Sequence, residues 1–203
     1  MKVWLRLFEL ICLYVVLPLL FYFKYIPIHK LLTLSIVFVY CLVILLINHR
    51  VRIRDFGFRG FRGWVPILVR VVAATAIILI LTYIIIPKYL FVLPLHRPMF
   101  WVAVLLLYPL WSVIPQELIY RSFFFERYRI IFRNDKVMAV ASAALFAFLH
   151  IVFHNWIAVA GTFVIGLFWS FAYMRHRSFA AVTLEHSIVG IILFTIGLGV
   201  FFI

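Results

Sequence analysis

A chain of 203 residues that is 68% hydrophobic and only 12% charged cannot be an ordinary soluble domain, in which roughly a quarter of residues are charged. It has room for about seven spans of ~20 residues and, because the connections are short, for no separate soluble domain. Its 19 Lys and Arg against six acids, a net charge of +13, do not point to nucleic acid as a partner: the cations cluster in short loops between apolar runs, where the positive-inside rule and anionic headgroups put them.

The first run, Trp4 to Phe23, follows Lys2 and Arg6 but is long for a signal-peptide core. It contains Glu9 and Pro18 and lacks a small-residue cleavage site, so it is expected to be a retained span. Residues 31–47 form a second span, which ends in a loop over residues 48–64 carrying five arginines, one acid (Asp55) and interleaved aromatics. That loop is expected to be a solvated, headgroup-facing connection rather than a dedicated binding site. A third span runs from about Pro66 to Ile86, with Arg70 placed to snorkel to the basic end. A proline-containing turn leads to a fourth segment from Met99, which passes Pro109 and Pro115 into PQELIYR (residues 115–121) and exits through a basic stretch at 126–136.

The fifth span, Val137 to Phe153, carries His150 near its end. The sixth, Trp156 to Met174, holds Ala158, Ala160, Gly161 and Gly166, small residues that allow close helix contact. The last hydrophobic segment, Ser178 to Ile203, carries Glu185 and His186 early. Cys12 and Cys41 lie in separate apolar runs with no zinc spacing, and read as small hydrophobes. The expected fold is therefore all-α: one polytopic transmembrane domain over residues 1–203, with about seven transmembrane helices and a range of six to eight. Loops 48–64, 126–136 and 175–177 hold eleven Lys or Arg, while the opposite loops hold Lys24, Lys30, Lys88 and Arg97. This asymmetry predicts a cytoplasmic N-terminus.

Within this apolar chain, Gln116, Glu117, Arg121, His150, His154, Asn155, Glu185 and His186 need an explanation, because an ionisable side chain in a bilayer costs at least about 2.5–3.5 kcal/mol. Glu117 and Arg121 are four apart on one helix face, the spacing of a structural ion pair as well as of a site. His150 alone reads first as a packing histidine, and His154 and Asn155 as solvent-facing turn residues. One carboxylate and two histidines together can bind a metal, or can activate water for attack on a carbonyl.

The order of these residues, ExxxR (Glu117, Arg121), then FxxxH (Phe146, His150), then His186, resembles the CPBP family of intramembrane proteases, the CAAX protease and bacteriocin-processing family. Its motifs are EExxxR, FxxxH and HxxxN or a variant. The resemblance covers residues 99–203, the expected protease-like core, and includes Pro115, the aromatic run Phe123 to Phe125, SAALFAFLH and EHSIVG. It implies an intramembrane endopeptidase acting on a membrane-embedded or lipid-anchored peptide within the bilayer. Glu117 would be the general base on a water held by His150 and His186, Arg121 would orient Glu117 and keep it ionised, and Phe146 would pack the histidine's helix against its neighbour. A divalent, zinc-like metal held by the same residues is an equal alternative, and no other cofactor is implied.

Two departures stand out. Gln116 occupies the place of the first glutamate, so either Glu117 is the base, with Gln116 positioning water or substrate, or activity has been lost. Gly190 stands where the motif's asparagine is expected, so the oxyanion needs another donor, from Arg121, His150 or the backbone. The rivals to a protease are a catalytically silent relative with a binding, immunity or scaffold role, and a small transporter or proton relay. Counting ~1.5 Å per residue from the cytoplasmic helix ends sets His186 in the inner half of the bilayer and His150 near the outer surface, which argues against a shared site unless helices tilt, break or begin earlier.

Overall fold

The computed structural model describes residues 3–47, 56–58, 61 and 63–202. All regular structure among them is helical, and seven helices are long and apolar enough to cross a membrane: α1 Val3–Tyr22, α2 Lys30–Ile47, α3 Val65–Ile85, α4 Pro98–Arg127, α5 Asp135–Phe153, α6 Trp156–His176 and α7 Phe179–Ile196. The chain is an all-α polytopic membrane protein. Arg50, Arg52, Arg54, Asp55, Arg59 and Arg62 lie outside the described residues, and with them the expectation for the 48–64 loop.

Outward-facing apolar residues support the same reading. Leu68, Val69, Val72, Ile77, Ile80 and Ile84 of α3 are all exposed, and a continuous apolar face of this kind is stable against lipid rather than water. Three helix starts follow from local chemistry. Asn134 accepts from the backbone N–H groups of Lys136 and Val137 ahead of α5, Asn155 accepts from those of Ile157 and Ala158 ahead of α6, and Ser178 accepts from that of Ala181 ahead of α7. Each satisfies donors that a helix N-terminus leaves free. His154 is exposed as expected, in a left-handed conformation (φ 52°), and stacks on Tyr22 at 4.5 Å. The expected turn between α3 and α4 contains two short helical pieces, Pro87–Tyr89 and Val92–His96. It is latched to the end of α7 by a hydrogen bond from Phe91 N–H to the Ile196 carbonyl. Gly197 (φ 133°) is required there, because a Cβ would stand 2.3 Å from the Tyr89 carbonyl oxygen.

The core gathers around α4, which does not break at its prolines. Its two π-helical segments, Pro109–Val113 and Leu118–Phe123, flank a single α turn, Ile114–Glu117. A proline lacks the N–H for the i−4 carbonyl, and a shift to i→i+5 bonding is one way a helix absorbs that loss. The second π segment is stitched to its neighbours by side chains: Tyr14 of α1 donates to the Ile119 carbonyl (2.7 Å), Ser142 of α5 to the Tyr120 carbonyl (2.7 Å), and Tyr173 of α6 to Ser122 Oγ (3.3 Å).

Two sequence expectations are corrected. Arg70 does not snorkel: its guanidinium makes a two-pronged ion pair with Glu185 of α7, at 2.7 and 2.6 Å, because Glu185 is buried opposite it and needs a cation. Of the four small residues of α6, only Ala158 and Gly166 are buried. Gly161 is exposed, with open space where a Cβ would go, whereas a Cβ on Gly166 would lie 3.1 Å from Phe146. The buried stripe on α6 runs Ala158, Thr162, Gly166, Trp169 and Tyr173, the spacing of one helix face.

Candidate active site

Glu117 sits in the α turn between the two π segments and is 0% exposed. Its Oε1 accepts from His186 Nδ1 at 2.8 Å. A carboxylate only accepts, so Nδ1 carries a proton, and in the neutral tautomer Nε2 is the acceptor. Glu117 Oε2 lies 3.5 Å from Arg121 Nε, close enough for ion pairing, and accepts no hydrogen bond among the described residues. Helix geometry explains the i, i+4 pair, while the buried His186 comes from seven residues into α7.

Arg121, also 0% exposed, is a pin between helices. Its Nη1 donates to Ser142 Oγ (2.9 Å) and the Tyr120 carbonyl (3.3 Å), its Nη2 reaches the Gly166 carbonyl (3.5 Å), and its guanidinium lies over the Phe146 ring at 5.2 Å. With both terminal nitrogens engaged by α4, α5 and α6, the guanidinium is fixed and holds its Nε toward Glu117.

Phe146 is the hub. Its ring contacts His150 (4.9 Å), His186 (5.7 Å), Tyr120 (5.4 Å) and Trp169 (6.1 Å), all edge-on. One phenyl ring thus touches both imidazoles that depth counting set apart. The counting assumed that every helix starts at one membrane plane, and the packing does not obey it. His150, in the 3₁₀ turn ending α5, is buried and donates from Nδ1 to the Phe146 carbonyl at 2.8 Å, which leaves its Nε2 as an acceptor. Gln116 donates to Ser112 Oγ at 2.9 Å, and its buried Oε1 has no hydrogen-bond partner among the described residues.

Two residues of the site have no signal in the sequence. Trp169 stacks on His186 at 4.2 Å and 24°, and Tyr108 OH stands 3.2 Å from His186 Nε2. In a chain that is 19% aromatic, one more Trp or Tyr reads as packing or as an interfacial anchor. Glu185, next to His186, faces α3 and belongs to the Arg70 pair instead.

The residues present do not fit a resident metal ion. Among the described residues no three His, Cys, Asp or Glu side chains are grouped to hold one, and Glu117 directs Oε1 at Nδ1 of His186 rather than converging with its Nε2.

The all-helical core thus buries a carboxylate, a guanidinium and two imidazoles around a π-distorted helix. Residues 98–192, just under half of the chain, match the family model described as type II CAAX prenyl endopeptidase Rce1-like, which agrees with the CPBP resemblance and supports a protease of the CAAX type. No curated protein and no solved structure matches the chain.

Proposed function

We propose that the protein is an intramembrane endopeptidase that hydrolyses a peptide bond in a membrane-associated substrate, the lipid-anchored C-terminal tail of a CAAX-type protein or peptide being the class that the matched family's description favours. The observation that carries this reading is Glu117: a fully buried carboxylate with one oxygen committed to His186 and the other held beside Arg121 but accepting no hydrogen bond among the described residues. Oε2 is the base. It takes a proton from water as the water oxygen bonds to the scissile carbonyl carbon and the C=O electron pair moves onto oxygen. The C–N bond then breaks and the amine leaves with the proton that Glu117 had taken, giving a carboxylic acid and an amine.

The neighbours divide the remaining work. Arg121 positions Glu117. Nε2 of His150 accepts the second proton of the water as a hydrogen bond. Phe146 holds the two histidines at a fixed separation, and Gln116, an amide that cannot act as a base, offers Oε1 to water or substrate. Catalysis needs no metal in this account, so cleavage survives a chelator. The N-terminus is cytoplasmic by the loop-charge asymmetry. Purified protein in nanodiscs is offered a farnesylated peptide with a CAAX tail and a panel of membrane peptides. Cleavage by wild type and none by Glu117→Gln supports the proposal. Binding of a membrane peptide that is never cut replaces it with a silent binder.

A further inference from the structure

Tyr108 and Gly190 form a fitted pair beside the carboxylate. Gly190 lies four residues after His186, on the same face of α7, and an added Cβ would stand 2.3 Å from both Cε1 and Oη of Tyr108. Any other residue at 190 makes the phenol shift from this position. The ring enters that slot from α4, in the last α turn before the Pro109–Val113 segment, with its edge against Phe194 at 5.3 Å. It presents its hydroxyl to His186 Nε2 at 3.2 Å. A phenylalanine would fill the same space. The hydroxyl serves the imidazole.

We propose that Tyr108 is a catalytic hydrogen-bond donor to the scissile carbonyl oxygen, seated over Gly190 and held in line by His186. This rests on the endopeptidase reading of Glu117. In the neutral tautomer, with the proton of His186 on Nδ1 facing Glu117, Nε2 accepts and the Tyr108 O–H donates to it. A phenolic hydrogen rotates about its C–O bond, so the same donor can turn from Nε2 to an oxygen on which charge develops. The alternative donor, Arg121, has both terminal nitrogens engaged by Ser142 Oγ and the Tyr120 and Gly166 carbonyls. Glycine at 190, where the third motif has asparagine, then makes room for a donor brought from a different helix.

The test compares wild type, Tyr108→Phe, Tyr108→Ala, Gly190→Asn and the double variant Tyr108→Ala/Gly190→Asn as purified full chains in nanodiscs, with a farnesylated fluorogenic CAAX-tail peptide. Loss of one oxyanion donor predicts a fall in kcat of about 100-fold for Tyr108→Phe with KM changed by less than about threefold. Gly190→Asn alone is inactive through the clash with Tyr108, and the double variant recovers at least about tenfold over Tyr108→Ala by supplying a side-chain donor from position 190. The ¹⁵N resonance of His186 Nε2 moves in Tyr108→Phe, a readout of the hydrogen bond that does not depend on turnover. Wild-type kcat in Tyr108→Phe overturns the role of Tyr108 and leaves Glu117 as base. An unmoved His186 resonance overturns the contact itself, and a wild-type protein that cuts no peptide in the panel removes both this inference and the endopeptidase reading.

Discussion

Arg121 shows how a buried charge in this protein is tolerated at the scale of one residue. Its guanidinium combines an ion pair to Glu117 with bonds to Ser142, Tyr120 and Gly166 and a cation–π contact with Phe146. A planar fork can serve several acceptors at once, and a lysine ammonium at the end of its stem cannot. Arg121→Leu strands the Glu117 carboxylate, and breaking a buried pair from one side costs about 3–5 kcal/mol. Arg121→Lys recovers only part of that. Urea or thermal unfolding in detergent measures both, and a Lys variant as stable as wild type would refute the account of Arg121 as a multi-helix pin. Glu117, Arg121, His150 and His186 were legible in the sequence because charged and imidazole side chains are rare in apolar runs, so their order carries information, and Phe146 was legible only through its FxxxH spacing to His150. Tyr108, Trp169 and the Gly190 slot were not, because aromatics abound here and a glycine's role depends on what another helix brings to it. Arg70 was misread for a related reason, since its partner Glu185 lies 115 residues away.

At the scale of the helix, α4 matters through its irregularity, and α5 and α6 through their close approach. The two glycines of α6 separate propensity from packing. Gly161 has open space around it, so Gly161→Ala gains up to about 1 kcal/mol of helix propensity without loss of activity. A Cβ on Gly166 would stand 3.1 Å from Phe146 and 3.7 Å from the Ala143 backbone, so Gly166→Leu drives α5 and α6 apart and lowers both the thermal midpoint and peptide cleavage. Equal effects at the two positions would show that the α5–α6 contact does not depend on Gly166. Asn155→Ala removes an N-cap and costs about 1 kcal/mol, readable as faster backbone hydrogen exchange in the first turn of α6. The helix boundaries were legible from hydropathy to within a few residues except at the end of α7, which stops at Ile196, ahead of Gly197, rather than running on to Ile203. The π segments were not, because bonding of that kind is chosen by the proline positions together with side chains from α1, α5 and α6.

Across the whole molecule, ion pairs hold distant spans together: Arg70 with Glu185 joins α3 to α7, Arg127 with Glu9 at 2.8 Å joins α4 to α1, and Arg177 with Glu126 at 3.0 Å joins the end of α6 to α4. The first has a carboxylate that is 1% exposed. Arg70→Ala is therefore expected to destabilise strongly, and the pairwise replacement Arg70→Leu/Glu185→Leu to recover most of that loss. Topology is testable independently. In a background lacking Cys12 and Cys41, a cysteine at Arg129 is labelled by an impermeant maleimide only from the cytoplasmic face, and one at Pro27 only from the opposite face; the reverse pattern inverts the orientation. The fold class and the family resemblance were legible because both are written in composition and in residue order, whereas the meeting of His150 of α5 and His186 of α7 around Phe146 is a property of packing that depth counting does not capture.

The central claim is that Glu117 acts as the base of an intramembrane peptidase. Its most direct test is turnover of the farnesylated CAAX-tail peptide and the membrane-peptide panel by purified wild type beside Glu117→Gln, His150→Ala and His186→Ala, each with and without a chelator. The account predicts cleavage by wild type that persists with chelator, a loss of about 10²–10⁴-fold in Glu117→Gln, and large losses in both histidine variants with the protein still folded. Cleavage that survives Glu117→Gln contradicts it outright, and cleavage abolished by the chelator and restored by zinc assigns the chemistry to a metal instead.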